Sequence, residues 1–246
     1  MATVTFTDND SDTGGGSPSN FTALNINAGD GGRTIFIGLF TVSLNVGSTI
    51  VTSVTVDGIA ATEVIQTDAS NGSVSNVAAL FKIKASALPD PTVSDVDAEV
   101  TWGGGFTALL NVYAAVYVTP DALENATHDT AVFGGTDLVA DLSIDTTSGG
   151  ISIGVSGMNY ANSGGADADW VGLTEDLDLG VDTNYHFSTA HASAQSAATP
   201  LTVTETESAP GGPSLHAAVS ASFSSGVAVS LLSGLVGGRL QQGLVG

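Results

Sequence analysis

Residues 33–44 read RTIFIGLFTVSL, a run with apolar side chains on both faces of an extended chain. That pattern belongs to a central strand covered on both sides. Just downstream, TIVTSVTV (49–56) alternates, with Val54 and Val56 on one face and Ser53 and Thr55 on the other. Asp57-Gly58 then joins it to IAATEVIQT (59–67). Asp-Gly between two β-like runs predicts a two-residue hairpin, because both turn positions need positive φ. FTALLNVYAAVYV (106–118) is again apolar on both faces and reads as a second central strand.

Working outward, NVAALFKIK (76–84) and SDVDAEVTW (94–102) predict another hairpin. One register sets Lys84 opposite Asp95 and Lys82 opposite Asp97. It also sets Ile83 opposite Val96, Phe81 opposite Ala98, Ala79 opposite Val100 and Val77 opposite Trp102, which satisfies both faces at once. DLVADLSI (137–144) and GGISIGVSG (149–157) read as a further pair. SLHAAVSASF (214–223) and GVAVSLL (226–232) close the domain. Residues 1–7 form an edge strand and 8–20 a loop. Helix signals are confined to single turns around 120–127 and 192–198, and no repeat of fixed period is visible. The expected fold is all-β, a two-sheet antiparallel sandwich of jelly-roll type with little or no helix. Its parts are an N-terminal strand with an acidic Gly-rich loop (1–32), the β-sandwich domain (33–232) and an apolar Gly-rich C-terminal arm (233–246).

The 246 residues carry 4 Lys+Arg against 25 Asp+Glu, a net charge of -21, with no Cys and 42% hydrophobic residues. Disulfide scaffolds and Cys-based metal or redox sites are excluded. A basic nucleic-acid interface is excluded too, since binding phosphate needs a Lys/Arg surface. The apolar content is too high for a disordered acidic chain. Such a surface repels itself and is quieted by salt, which suits a marine medium. The opening MATVTFTDNDSD has neither the basic nor the apolar region of a secretion signal, and no stretch has the length of a membrane span.

Asp8, Asp10 and Asp12 space carboxylates as a calcium loop does, but the glycine comes one place late and Ser19 stands where a closing Glu belongs. The expectation is a solvated acidic loop without metal. Gly154-Val155-Ser156-Gly157-Met158 approaches the Gly-x-Ser-x-Gly elbow of hydrolases. Met158 replaces the last glycine and no helix follows, so no catalytic residue is assigned. His128, His186, His191 and His216 show no metal-ligand spacing, and His186 and His216 read as structural. No cofactor is expected. Trp102 belongs to an inward face, whereas Trp170, Tyr160 and Tyr185 lie near loops and are the candidates for stacking a sugar.

The stretch from Ile50 to Leu123 carries the Val51-Thr52-Ser53-Val54-Thr55 strand with Gly58 and Thr62, the Leu80–Ile83 strand, a Pro-containing loop and Val100-Thr101-Trp102. With these elements, residues 33–223 resemble a β-sandwich module of bacteriophage virion proteins and some bacterial surface proteins. The resemblance implies a virion structural protein that is not an enzyme, most of all a head decoration or cement protein assembled in the host cytoplasm. The partners implied are the major capsid protein or other virion subunits and copies of itself, taken as a trimer, with neither nucleic acid nor membrane. The alternative is a carbohydrate-binding or adhesive module of a tail, fibre or cell surface. In the arm 233–246, Leu235, Val236, Arg239, Leu240, Leu244 and Val245 are the expected partner-docking residues. Apolar side chains among glycines gain most by ordering against another surface.

Overall fold

The computed structural model describes residues 2–12, 16–120, 123, 127–160, 168–181, 185–207 and 213–224. Its strands in chain order are β1 (Thr5–Asp12), β2 (Ser19–Asn25), β3 (Thr34–Val56), β4 (Ile59–Ala60), β5 (Thr62–Ser70), β6 (Val74–Lys84), β7 (Asp95–Thr119), β8 (Thr127–Gly135), β9 (Val139–Thr146), β10 (Ile151–Tyr160), β11 (Ala168–Val171), β12 (Thr174–Val181), β13 (Tyr185–Ala192), β14 (Ala198–Glu207) and β15 (Pro213–Phe223). The helical content among the described residues is one 3-10 turn, Ala85–Ala87. None of these residues forms a helix long and apolar enough to cross a membrane. The fold is all-β and every strand pairing is antiparallel.

Three sheets are stacked where the sequence predicts two. The first runs β1-β7-β3-β6-β5, with β2 added to β7 and β4 to β3; the second runs β12-β13-β10-β15-β8; the third runs β11-β14-β9. Strands β3 and β7 pair along their whole length through several register shifts. Both turn a corner midway. At the β3 corner, Ser43 Oγ and Thr49 Oγ1 come within 2.6 Å. At the β7 corner, Gly104 has φ +106, and a Cβ there would lie 2.2 Å from the carbonyl oxygen of Ser48, so no other residue fits. The two halves of the β3/β7 pair thereby face each other across a core that joins Ile35, Ile37 and Leu39 to Val54, Val56, Val100 and Trp102.

The same strands explain the apolar runs. From β3, Ile35, Ile37 and Leu39 enter this outer core, while Phe36, Phe40 and Val42 enter a central core against the second sheet. From β7, Val112, Ala114 and Val116 take the outer core and Tyr113, Ala115 and Tyr117 the central one. Period-2 alternation places adjacent side chains on opposite faces, so a strand between two cores is apolar throughout. The Asp57-Gly58 hairpin forms as expected, with Thr55 opposite Ala60 and Val56 opposite Ile59. Its turn residues have φ 48 and 78. Gly58→Val is expected to cost about 1 kcal/mol by straining that turn, and a urea midpoint measures it.

The predicted 76–84/94–102 hairpin does not form. β6 lies between β3 and β5, with Ile35 opposite Ile83 and Glu63 opposite Phe81. The residues of 94–102 pair instead with β2 and with the far half of β3. Phe81, Ile83, Val96, Ala98 and Trp102 are nonetheless all buried in the outer core. They meet across it rather than side by side. Lys82 points to the other face, where Nζ donates to Thr127 Oγ1 at 2.7 Å and lies 5.3 Å from the centre of the Phe223 ring. The pairing of 137–144 with 149–157 does not form either: β9 pairs β14, and β10 pairs β13 and β15.

Residues 1–32 are woven into the first sheet, since Phe21, Leu24 and Ile26 are part of the outer core. Ahead of β1, buried Ala2 and Val4 reach across to the second sheet. Ala2 N–H donates to Gly149 O at 2.8 Å, Ala194 N–H donates to Ala2 O at 3.0 Å, and Val4 N–H donates to Ser193 Oγ at 2.9 Å. Residues 226–232, expected as a closing strand, and the arm 233–246 lie outside the described residues.

Candidate functional site

The residues richest in chemistry meet between the second and third sheets. On β15, Leu215, Ala217, Val219, Ala221 and Phe223 face the central core, which leaves His216 on the opposite row. β10 contributes Ser156, and β14 contributes Glu205 from the row of Leu201 and Val203. Ser156, His216 and Glu205 are each fully buried. Ser156 Oγ lies 3.0 Å from His216 Nε2, and Glu205 Oε2 lies 2.8 Å from that same nitrogen. His216 Nδ1 donates to the backbone carbonyl of Asp137 at 3.0 Å.

This trio has the composition of a hydrolytic triad and not its geometry. In a triad the acid holds one ring nitrogen while the other takes the serine proton. Here serine and carboxylate crowd one nitrogen, a carbonyl holds the other, and Ser156 Oγ faces no open surface. Nearby, Trp170 Nε1 donates to Ser188 Oγ at 2.6 Å, and the Trp170 ring covers Gly154, where a Cβ would come within 2.5 Å of it. Across the row from His216 through Met158 stands His186, whose Nε2 contacts Asp178 Oδ1. The arrangement clamps one sheet to the other.

On the central-core side of β12 and β13 a second cluster forms. Both oxygens of Asp176 face His191 Nδ1, at 2.8 and 2.7 Å, and Tyr117 Oη donates to Asp176 Oδ2 at 3.0 Å. Burial, with the Asp176 carboxylate beside it, pushes the Tyr117 hydroxyl well above the ordinary phenol range. A tyrosine held in that way donates a hydrogen bond and stays neutral.

Asp8, Asp10 and Asp12, expected in a loop, lie on strand β1. Carboxylates two residues apart on a strand stand roughly 7 Å from each other and do not converge on one ion. Asp8 Oδ2 instead accepts Asn25 N–H at 2.8 Å and Asp12 Oδ2 accepts Asn20 N–H at 3.1 Å, which stitches β1 to β2. Among the described residues no group of His, Asp and Glu has the arrangement of a metal site. Trp170, expected to stack a sugar from a loop, is buried in β11 with its indole face occupied by the second sheet. Tyr185 is half-buried at the start of β13 and packs on the central core. Tyr160 ends β10, and its side chain lies outside the described set, as does that of His128. Leu235, Val236, Arg239, Leu240, Leu244 and Val245 also lie outside it. The sequence reading missed Glu205, although Leu201, Val203 and Glu205 share one strand parity and two of them are apolar.

Two clefts open on the surface of the first sheet. One of about 370 Å³ lies over Asp57, Asp97 and Glu99. Asp57 Oδ1 already accepts Asp97 N–H at 2.8 Å and Asp97 Oδ1 accepts Ala23 N–H at 2.9 Å. The other, of about 310 Å³, is lined by Ile26, Asp30, Arg33 and Val118. Its Arg33 guanidinium is turned onto backbone carbonyls of the flanking loops. No protein-family model and no curated protein matches the chain.

Proposed function

We propose that the chain is a non-enzymatic structural protein of a phage particle, a head decoration or cement protein that seats on the major capsid protein and stabilises the shell. One observation carries the reading. The side chains that chemistry would draw on, Ser156, His216 and Glu205 above all, are walled in and used to hold sheet to sheet. A stack of antiparallel sheets clamped in this way is a rigid body suited to bearing load. Its net charge of -21 keeps such bodies apart in solution. The glycan-binding alternative is weakened by the burial of Trp170.

In this reading the segment 233–246 is the arm that docks on the shell, through Leu235, Val236, Leu240, Leu244 and Val245, with Arg239 meeting an acidic patch. Two measurements test it together. Mass spectrometry of purified particles should find the chain in fixed ratio to the major capsid protein. A chain truncated after Leu232 should keep its melting temperature and lose binding to particles that lack the full-length protein. Absence from the particles, or undiminished binding by the truncated chain, overturns the proposal.

A further inference from the structure

The joint between the second and third sheets differs from the other two interfaces in what fills it. The outer and central cores are packed with aliphatic and aromatic side chains. The third cluster is small, with Ala140, Leu142, Ile144, Trp170 and Val203 as its main members, and polar groups occupy the space beside it. His216 is the centre of those polar groups, and its surroundings dictate its protonation. A backbone carbonyl only accepts, so Nδ1, 3.0 Å from the Asp137 carbonyl, carries a proton. An ionised carboxylate also only accepts, so Nε2, 2.8 Å from Glu205 Oε2, carries one as well. The ring is then an imidazolium. Were it neutral, its lone pair would point at the carboxylate of Glu205, which is fully buried and takes no other hydrogen bond among the described residues.

We propose that this joint is a proton-held latch: loss of the Nε2 proton of His216 frees β9, β11 and β14 from the body of the protein while the first and second sheets stay folded. Charged groups on the neighbouring elements do not replace that proton. On the same face of the second sheet, His186 is engaged with Asp178, Asp141 of β9 and Asp169 of β11 are exposed, and Asp137 presents its carbonyl. No Lys or Arg lies in the third sheet or in β8, β10, β12, β13 or β15. The sign follows. The closed joint holds a proton that an open histidine releases above about pH 6.5. Closure therefore weakens as pH rises, by about tenfold in the opening equilibrium per pH unit for each proton so held.

Hydrogen exchange of the full-length protein between pH 7 and pH 9, corrected for the intrinsic rate, reads this directly. Protection of the β9, β11 and β14 amides should fall about tenfold per pH unit, while that of β3 and β7 stays level. In Glu205→Gln the amide can donate to a neutral Nε2, so the slope should vanish and protection at pH 9 should exceed that of the wild type. The ¹⁵N signals of the His216 ring, measured on the wild-type protein, give an independent reading should the variant not fold. Both nitrogens should be protonated at pH 7.5. Level protection in the third sheet, an equal fall in all three sheets, an unchanged slope in the variant, or an unprotonated Nε2 overturns the latch.

Discussion

Arg33→Met is expected to lower the stability of the protein by about 3 kcal/mol or more, the largest effect of any single side chain outside the aromatic core. Arg33 precedes β3 and is 3% exposed. Its Nη1 donates to the carbonyls of Ile26, at 3.2 Å, and Asn27, and its Nη2 to those of Pro91, at 3.2 Å, and Val93, at 2.5 Å. One guanidinium thus ties the loop after β2 to the loop before β7, at the end of the outer core where no strand pairing joins them. Desolvation holds its pKa below the usual arginine value, with Asp30 pulling the other way, and it remains a cation. Methionine fills the space and leaves four carbonyls without their donor, and each buried orphan costs about 1–3 kcal/mol unless water reaches it. Lysine keeps the charge but lacks the fork, so Arg33→Lys should recover only part of the loss. Urea unfolding monitored by tryptophan fluorescence measures both variants. A midpoint within error of the wild type in Arg33→Met would show that the loops hold themselves.

The second large effect is steric. Gly157 of β10 sits on the central-core face against Phe40 of β3, where an added Cβ would lie 2.1 Å from Cδ2 of the ring. Phe40 has little room to retreat, because it stacks on Phe187 with centroids 5.9 Å apart and planes 9° from parallel. The contact is reciprocal, since a Cβ on Gly38 of β3 would lie 2.7 Å from Val155 of β10. Each strand offers the other a notch. Gly157→Ala is expected to cost about 1–3 kcal/mol and Gly157→Val to exceed that, since overpacked cores must shift backbone. Differential scanning calorimetry should show a graded fall in melting temperature from Gly to Ala to Val. An unchanged melting temperature in Gly157→Val would mean that the first and second sheets are not pressed together here.

These notches were not legible in the sequence, and the reason is general to the fold. Alternation tells which residues share a face, and it placed Phe81, Ile83, Val96, Ala98 and Trp102 correctly in one core. It does not tell whether two such rows meet side by side in a sheet or face to face across it, since either arrangement buries the same atoms. The opposed charges of Lys82, Lys84, Asp95 and Asp97 favour the first arrangement, and the corners of β3 and β7 impose the second. The Asp57-Gly58 hairpin was legible because its signal is local and concerns two residues' φ angles. The polar joint was half legible. His216 stands in a strand whose other row is entirely apolar, but its partner Glu205 lies in a Thr-rich strand that reads as exposed. Only the stacking of the third sheet brings the two together.

The segment ahead of β1 carries a consequence for how the protein is made. Ala2 and Val4 are buried among groups of Gly149, Ser193 and Ala194, with 189 residues between Val4 and Ser193. β1 itself pairs with Thr5 opposite Val118 and Asp12 opposite Val112. During synthesis, then, the first residues to leave the ribosome are among the last to find their places: β1 waits for the second half of β7, and Ala2 waits for the turn after β13. Closing loops of that length makes folding slow, in the range of milliseconds to seconds, and keeps apolar edges open meanwhile. The excess of negative charge on the nascent chain acts in just that interval, holding half-finished copies apart until the last contacts close.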